Sequence, residues 1–182
     1  MTIPGNVAAQ IAAVLVAVIA FAGCSGDSAS QSGTIVSGTA SVQRGNAPAL
    51  IGETFDGGVF DLSDHEGKPV VVNFWFPSCP PCRAELPDMQ AAYEKYGPQG
   101  VTFVGVQQLG LDSAASGAAF WHDLGITFPG FADRGSEIQV DYEVLAYPTT
   151  IFLDRDHNIA KKWSGIIDAD RLADNIEAIL ES

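Results

Sequence analysis

Residues 74–82 read FWFPSCPPC, and the reading of this stretch decides the fold. Cys79 and Cys82 stand three apart, with only Pro80 and Pro81 between them. The apolar run 70–76, VVVNFWF, leads straight into the pair and follows the turn residues Gly67-Lys68-Pro69. A continuous apolar run bounded by turn residues suits a strand buried on both faces. Proline is favoured in a first helical turn and Gly97-Pro98 stops a helix, so a helix is expected from about Pro80 to Tyr96. The pair therefore sits where a strand hands over to a helix, with Cys79 at the N-cap and Cys82 one turn in.

That position activates the first sulfur. A helix N-terminus favours an anion by about 0.3–1 kcal/mol, reaching about 2 in good geometry. An N–H bond to a charged acceptor adds about 1.5–3 kcal/mol. The sum places the Cys79 thiol roughly one to three units below a free thiol at about 8.5, which makes it the candidate nucleophile. Pro80 and Pro81 carry no N–H, so the first nearby donor to that sulfur is the amide of Cys82. The prolines also stiffen the turn and hold the sulfurs at disulfide distance in both redox states. As a structural staple the pair is poor: a four-residue ring restrains the unfolded chain by about 2 kcal/mol, against about 4.7 for a 100-residue loop.

Working outward, residues 50–55, the turn Asp56-Gly57-Gly58 and residues 59–62 form an expected hairpin. Residues 101–107 are a β-rich run, and Asp112 or Ser113 can cap a helix running through Leu124. A weaker helical segment covers 136–142. Residues 149–154 and 159–164 are strands joined by a turn at 155–158. Asp168 caps a last helix, in which Leu172, Ile176, Ile179 and Leu180 recur at helical spacing. Strand–helix alternation implies a parallel portion, and the late strand–strand–helix unit adds antiparallel strands. The fold class is α/β, a mixed sheet with helices on both faces.

The N-terminal part reads differently. The first 23 residues carry no charged side chain, and an apolar run of about 17 ends at Cys24. This is short for a membrane span, which needs about 20 residues, and it fits the core of an export signal. Phe21-Ala22-Gly23-Cys24 is similar to a bacterial lipobox, although Phe21 replaces the usual Leu and no Lys or Arg precedes the run. The expectation is a signal peptide at 1–23 and a lipid on Cys24, with an uncleaved anchor as the alternative. Residues 24–47 are rich in Ser, Gly, Ala and Thr and hold no aromatic side chain, so they are expected to be a tether. About 23 such residues span roughly 26 Å as a coil. The folded domain is expected at 48–182, outside the cytoplasm and on the outer face of the cell membrane. With Cys24 lipidated, Cys79 and Cys82 remain as an even pair in an oxidising compartment. The net charge of −13, from 22 acidic and 9 basic side chains, argues against a nucleic-acid partner.

Residues 73–87, NFWFPSCPPCRAELP, resemble the active-site segment of the TlpA/ResA-like thiol–disulfide oxidoreductases, which are membrane-tethered proteins of thioredoxin-like fold within the AhpC/TSA superfamily. The resemblance continues in order through GKPVVVNFW, GVTFVGV, Tyr147-Pro148-Thr149-Thr150 and IFLD, and covers roughly 48–180. Residues 110–126 resemble the helical insertion that separates this family from plain thioredoxin. The resemblance implies a Cys79–Cys82 redox disulfide and a cis Pro148 facing it. It also implies that the Tyr147 backbone pairs with an extended substrate, with Trp75, Pro80 and Pro81 also on the substrate side. Glu85, three residues after Cys82, falls on the same helix face and could relay the proton of that resolving thiol. Asn73 replaces the buried acid of plain thioredoxins, which moves proton transfer toward Glu85 or water. Arg83 adds a nearby positive charge. Ser78 stands where the family usually has Trp, so a bulky part of the docking rim is gone.

The resemblance implies protein thiol or disulfide substrates, a separate thiol protein at the membrane or in the periplasm as electron donor, and no organic cofactor or metal. Reduction of exported proteins, with apocytochrome c among the possible clients, is the leading expectation. The opposite direction, a disulfide-forming oxidase, remains open because related potentials run from about −270 to −120 mV. A copper chaperone is a weaker alternative: thiolates bind copper, but His65, His122 and His157 all lie far from the pair in sequence. A peroxidase is disfavoured because Phe76 stands where Thr or Ser is required.

Overall fold

Two short strands open the domain: β1, Ile51–Glu53, pairs antiparallel with β2, Val59–Asp61. The computed structural model describes residues 46–182, so the expected signal segment, Cys24 and the tether up to residue 45 lie outside it. The expected tether runs to 47, yet Ala47 is buried and its N–H donates to the His157 carbonyl, while Asn46 Oδ1 accepts from the Ile159 N–H. Hydrogen bonds to the later hairpin hold these two residues against the domain.

The third strand, β3, Val70–Trp75, is buried at every position. The helix α1, Pro80–Tyr96, follows it and ends at Gly97, as the flanking residues dictate. Pro87 lies inside this helix. Next come β4, Thr102–Gln108, and α2, Ala114–Asp123, which Ser113 caps by accepting the Ser116 N–H. Asp112 is thus not the cap, and its carboxylate goes elsewhere. The strand β5, Gly130–Asp133, then pairs parallel with β4. The sequence reading has no strand there, because four residues with a leading glycine show no periodicity. Gly130 lies opposite Gly105, and a Cβ on Gly105 would come within 2.2 Å of the Trp121 ring. The two glycines make the slot that α2 fills with Trp121.

The short helix α3, Glu137–Asp141, leads to β6, Thr149–Leu153, and β7, Ile159–Ser164, and α4, Ala169–Leu180, closes the chain with Asp168 as its N-cap. The five-stranded sheet has the order β5-β4-β3-β6-β7. The pairs β3–β4 and β4–β5 are parallel, and β6 is antiparallel to both neighbours. Two consecutive right-handed crossovers stepping the same way put α1 and α2 on one face. Leu172, Ile176 and Ile179 of α4 join Leu86 and Met89 of α1 in the core on that face, against Val71, Phe103 and Phe152. The opposite face buries Val70, Val72, Phe74, Val104, Val106, Ile151 and Leu153 beneath Leu50, Phe60 and Tyr142. The mixed sheet with helices on both faces is therefore present, and α1 opens at its centre, where β3 ends. No helix among the described residues is long and apolar enough to cross a membrane.

Candidate active site

Cys79 and Cys82 form a disulfide at the first turn of α1, with Cα atoms 5.3 Å apart. Cys79 is the N-cap, with Pro80 and Pro81 as the first two helical residues. Its Sγ accepts the Cys82 N–H at 3.2 Å, the donor that the two prolines leave. The next bond of the turn runs from the Arg83 N–H to the Cys79 carbonyl at 3.1 Å and does not reach the sulfur. Cys79 keeps 3% of its surface and Cys82 none, so the first sulfur is the one open to an incoming thiol. Pro80 and Pro81 are both exposed beside it.

The Tyr147–Pro148 peptide is cis and immediately precedes β6. Tyr147 is half-buried, with its ring edge-on to Phe76 at 5.4 Å, and its hydroxyl donates to Gln139 Oε1. Burial, helped by Asp133, pushes that phenol up to about 12, so it remains a donor at working pH.

Trp75 departs from the expected substrate side. It has no exposed surface and stacks on Trp121 at 4.8 Å, with Phe120 at 5.6 Å. As the last residue of a strand covered on both faces, it supports the active-site loop from below and cannot touch a client. The positive charge of Arg83 is engaged locally: its guanidinium lies 4.5 Å over the Phe120 ring and donates to the Pro77 carbonyl at 3.3 Å.

Ser78, at the position usually held by Trp, is exposed, and its N–H and hydroxyl both donate to Asp112 Oδ2, at 3.0 and 2.6 Å. A bond from the loop before α2 thus ties down the segment that leads into Cys79. Two residues 34 apart give no local signal, and Asp112 reads as a helix cap in the sequence.

Glu85 is 1% exposed, not solvated. Its Oε1 accepts from Asn73 Nδ2 at 2.8 Å and its Oε2 from the Ile167 N–H at 3.0 Å. Burial pushes its carboxyl up to about 7 from the ordinary 4.5, while the two N–H donors pull it down and Asp88 adds to the upward push. A buried carboxyl that can load and release a proton near neutrality lies one helical turn beyond Cys82, where the resolving thiol must lose one. Asn73 also donates to Thr150 Oγ1 at 3.1 Å, its register partner on β6. Thr150 and the Ile167 amide are site residues that the sequence reading misses.

Three buried side-chain atoms have no hydrogen-bond partner among the described residues: Asn73 Oδ1, Trp75 Nε1 and Gln107 Oε1. All three belong to the C-terminal halves of β3 and β4, on the face beneath α1 and α2. No group of three or more His, Cys, Asp or Glu side chains among the described residues is arranged to hold a metal ion. A cavity of about 460 Å³ lined by His65, Tyr93 and Thr102 lies at the start of β4, the opposite end of the sheet from the sulfurs.

Comparisons with known proteins agree with this geometry. The sequence model of the AhpC/TSA family matches residues 44–162. The thiol-disulfide oxidoreductase ResA of Oceanobacillus iheyensis is 36% identical over 122 residues, covering 67% of this chain and 62% of the relative. The chain thus spans somewhat under two thirds of that relative's length. The ResA protein of Bacillus thuringiensis is 31% identical over 133 residues, covering 73% of this chain and 76% of the relative. Among solved structures, a thiol:disulfide interchange protein of the thioredoxin family from Chlorobium tepidum superposes with a TM-score of 0.69 at 25% identity, covering 75% of this chain and 97% of that one.

Proposed function

The chain belongs to the AhpC/TSA family; on that premise, we propose that it is a thiol–disulfide oxidoreductase of the ResA type and that it reduces disulfides in proteins outside the cytoplasm. The observation that carries the direction is the single N–H, from Cys82, available to Cys79 Sγ. An oxidant gains its driving force from a strongly stabilised thiolate in its reduced form. Here Pro80 and Pro81 remove donors from the turn, so that stabilisation is limited and electrons flow outward.

In the reduced enzyme the Cys79 thiolate attacks one sulfur of a client cystine. A mixed disulfide forms and the first client thiolate leaves. The Cys82 thiol gives its proton to the Glu85 carboxylate, and the resulting thiolate attacks Cys79 Sγ. This closes the Cys79–Cys82 bond and releases the second client thiolate. Two electrons have passed from the pair to the client. A separate dithiol protein at the membrane or in the periplasm returns them by the reverse exchange. In this reading the client docks against Pro80 and Pro81, which are exposed beside Cys79, and pairs with the backbone of Tyr147.

The clients we propose are exported chains with accessible disulfides, including apocytochrome c, whose paired thiols must be reduced before haem is attached. A lipid on Cys24 would hold the enzyme on the outer face of the cell membrane, with residues 25–45 as the spacer. The apolar run of about 17 residues that ends at Cys24 and the small residues Ala22 and Gly23 before it support this reading.

The test of direction is the equilibrium potential of the Cys79–Cys82 pair in a glutathione buffer. A value of about −250 mV or lower fits a reductant, and one of about −130 mV reverses the assignment to an oxidase. Metabolic labelling with palmitate, lost in Cys24→Ala, tests the anchor.

A further inference from the structure

Asn73 is buried on the central strand, and its side chain is bonded only through one end. Both N–H groups of its amide are used, on Glu85 Oε1 at 2.8 Å and Thr150 Oγ1 at 3.1 Å. Its Oδ1 has no partner among the described residues. A buried amide oxygen left unbonded is costly, and such groups call for an explanation. An asparagine serving only the fold gains by satisfying both ends. This one gives up its acceptor to present two donors.

We propose that Asn73, pinned by Thr150, is a positioning residue for Glu85, which aims the carboxyl along α1 and sets the pH at which it exchanges a proton with Cys82. The inference rests on Glu85 acting as the proton acceptor of the resolving thiol. The Thr150 oxygen takes one N–H and fixes the rotation of the amide. The other N–H then faces the carboxylate, where it favours the anion and opposes the effect of burial. The Ile167 N–H does the same for the second oxygen from the loop before α4. Without Asn73 the carboxyl keeps one donor and holds its proton to higher pH.

The groups around Glu85 leave few other controls. On α1 the charged neighbours are Asp88, which pushes the carboxyl up, and Arg83, whose guanidinium is engaged over Phe120 and with Pro77. The residues contributed by β3 and β6, Asn73 and Thr150, are neutral. Next to Ile167, Asp168 is paired with Arg171 at 2.7 Å.

The experiment is a carboxyl ¹³C NMR titration of Glu85 in the full chain, in the disulfide form, where neither cysteine titrates. It compares the wild type with Asn73→Leu, Thr150→Val and Thr150→Ser. A hydrogen bond to a charged group corresponds to about one to two pH units, so Asn73→Leu should raise the Glu85 midpoint by that much. Thr150→Val should raise it by less, and Thr150→Ser should restore the wild-type midpoint. A midpoint unmoved in either folded variant, Asn73→Leu or Thr150→Val, overturns the proposal; if Asn73→Leu does not fold, Thr150→Val alone decides. The relay reading is tested separately by the pH profile of disulfide exchange in Glu85→Gln. An unchanged profile there refutes the role of Glu85 in proton transfer, whatever the titration of its carboxyl shows.

Discussion

The two faces of the sheet do different work. Beneath the hairpin and α3, β3 contributes Val70, Val72 and Phe74, and its neighbours contribute Val104, Val106, Ile151 and Leu153, an apolar layer. One residue along in register, β3 contributes Val71, Asn73 and Trp75 toward α1 and α2, where Glu85, Gln107 and Thr150 are also buried. The buried side-chain polar atoms that lack a partner among the described residues, Asn73 Oδ1, Trp75 Nε1 and Gln107 Oε1, lie on that second face. The first face stabilises mainly through burial, with the Tyr142 hydroxyl donating to the Pro48 carbonyl at its edge. The second gives up some stability to hold a carboxyl, an amide and two sulfurs in one place, which is the usual exchange at a functional site.

The comparison can be broken most sharply at the sulfurs. Cys79→Ser, on the chemical face, should abolish reduction of insulin disulfides while circular dichroism shows a retained fold. Phe74→Ala, on the apolar face, should cost about 3–5 kcal/mol in urea denaturation, because it removes a fully buried ring. The pH dependence of exchange in the surviving folded protein should not change. If Phe74→Ala shifted that profile, the two faces would not be separable.

Glu85 separates the faces by pH. Its folded-state pKa is raised, so the folded chain holds a proton that the unfolded chain has lost. The stability from this proton is fully present below about pH 4.5 and is lost as pH rises through about 7. The shift from 4.5 to about 7 corresponds to about 3 kcal/mol. Glu85→Gln cannot titrate, so its loss of stability between pH 4.5 and about 8 should be smaller than the wild type's by about that amount, read from urea midpoints at each pH.

Much of this was legible along the chain. The strand β3 reads from its apolar run, α1 from its opening prolines and Gly97-Pro98, and the Cys79 N-cap from the position of the pair between them. Burial of a whole run hides which end is useful, however. Trp75 reads like an accessible aromatic beside the cysteines, but it belongs to the packed layer below them. The network around Glu85 joins residues 12 and 82 apart, and only the β3–β6 register brings Thr150 opposite Asn73. The strand β5 exists because β4 needs a partner and Trp121 needs a slot, neither of which a four-residue segment announces.

Smaller effects sharpen the picture at the helix terminus. Pro81→Ala restores an N–H at the second helical position, a usual donor to an N-cap side chain. One more charge-assisted bond to the thiolate should raise the reduction potential by about 30 mV, measured against glutathione. Asp112→Ala removes the acceptor of both Ser78 bonds at an exposed site and should cost about 0.5–1.5 kcal/mol, with exchange rates nearly unchanged.

The poise of Cys79 underlies all of this, and alkylation measures it most directly. The rate of iodoacetamide modification of the reduced protein, followed across pH with Cys24→Ala and Cys82→Ser together, reports the Cys79 thiolate alone. A midpoint about one to three units below the free-thiol value of about 8.5 is the predicted result. A midpoint at that value or higher would contradict it, because the first turn of α1 would then give the sulfur no help.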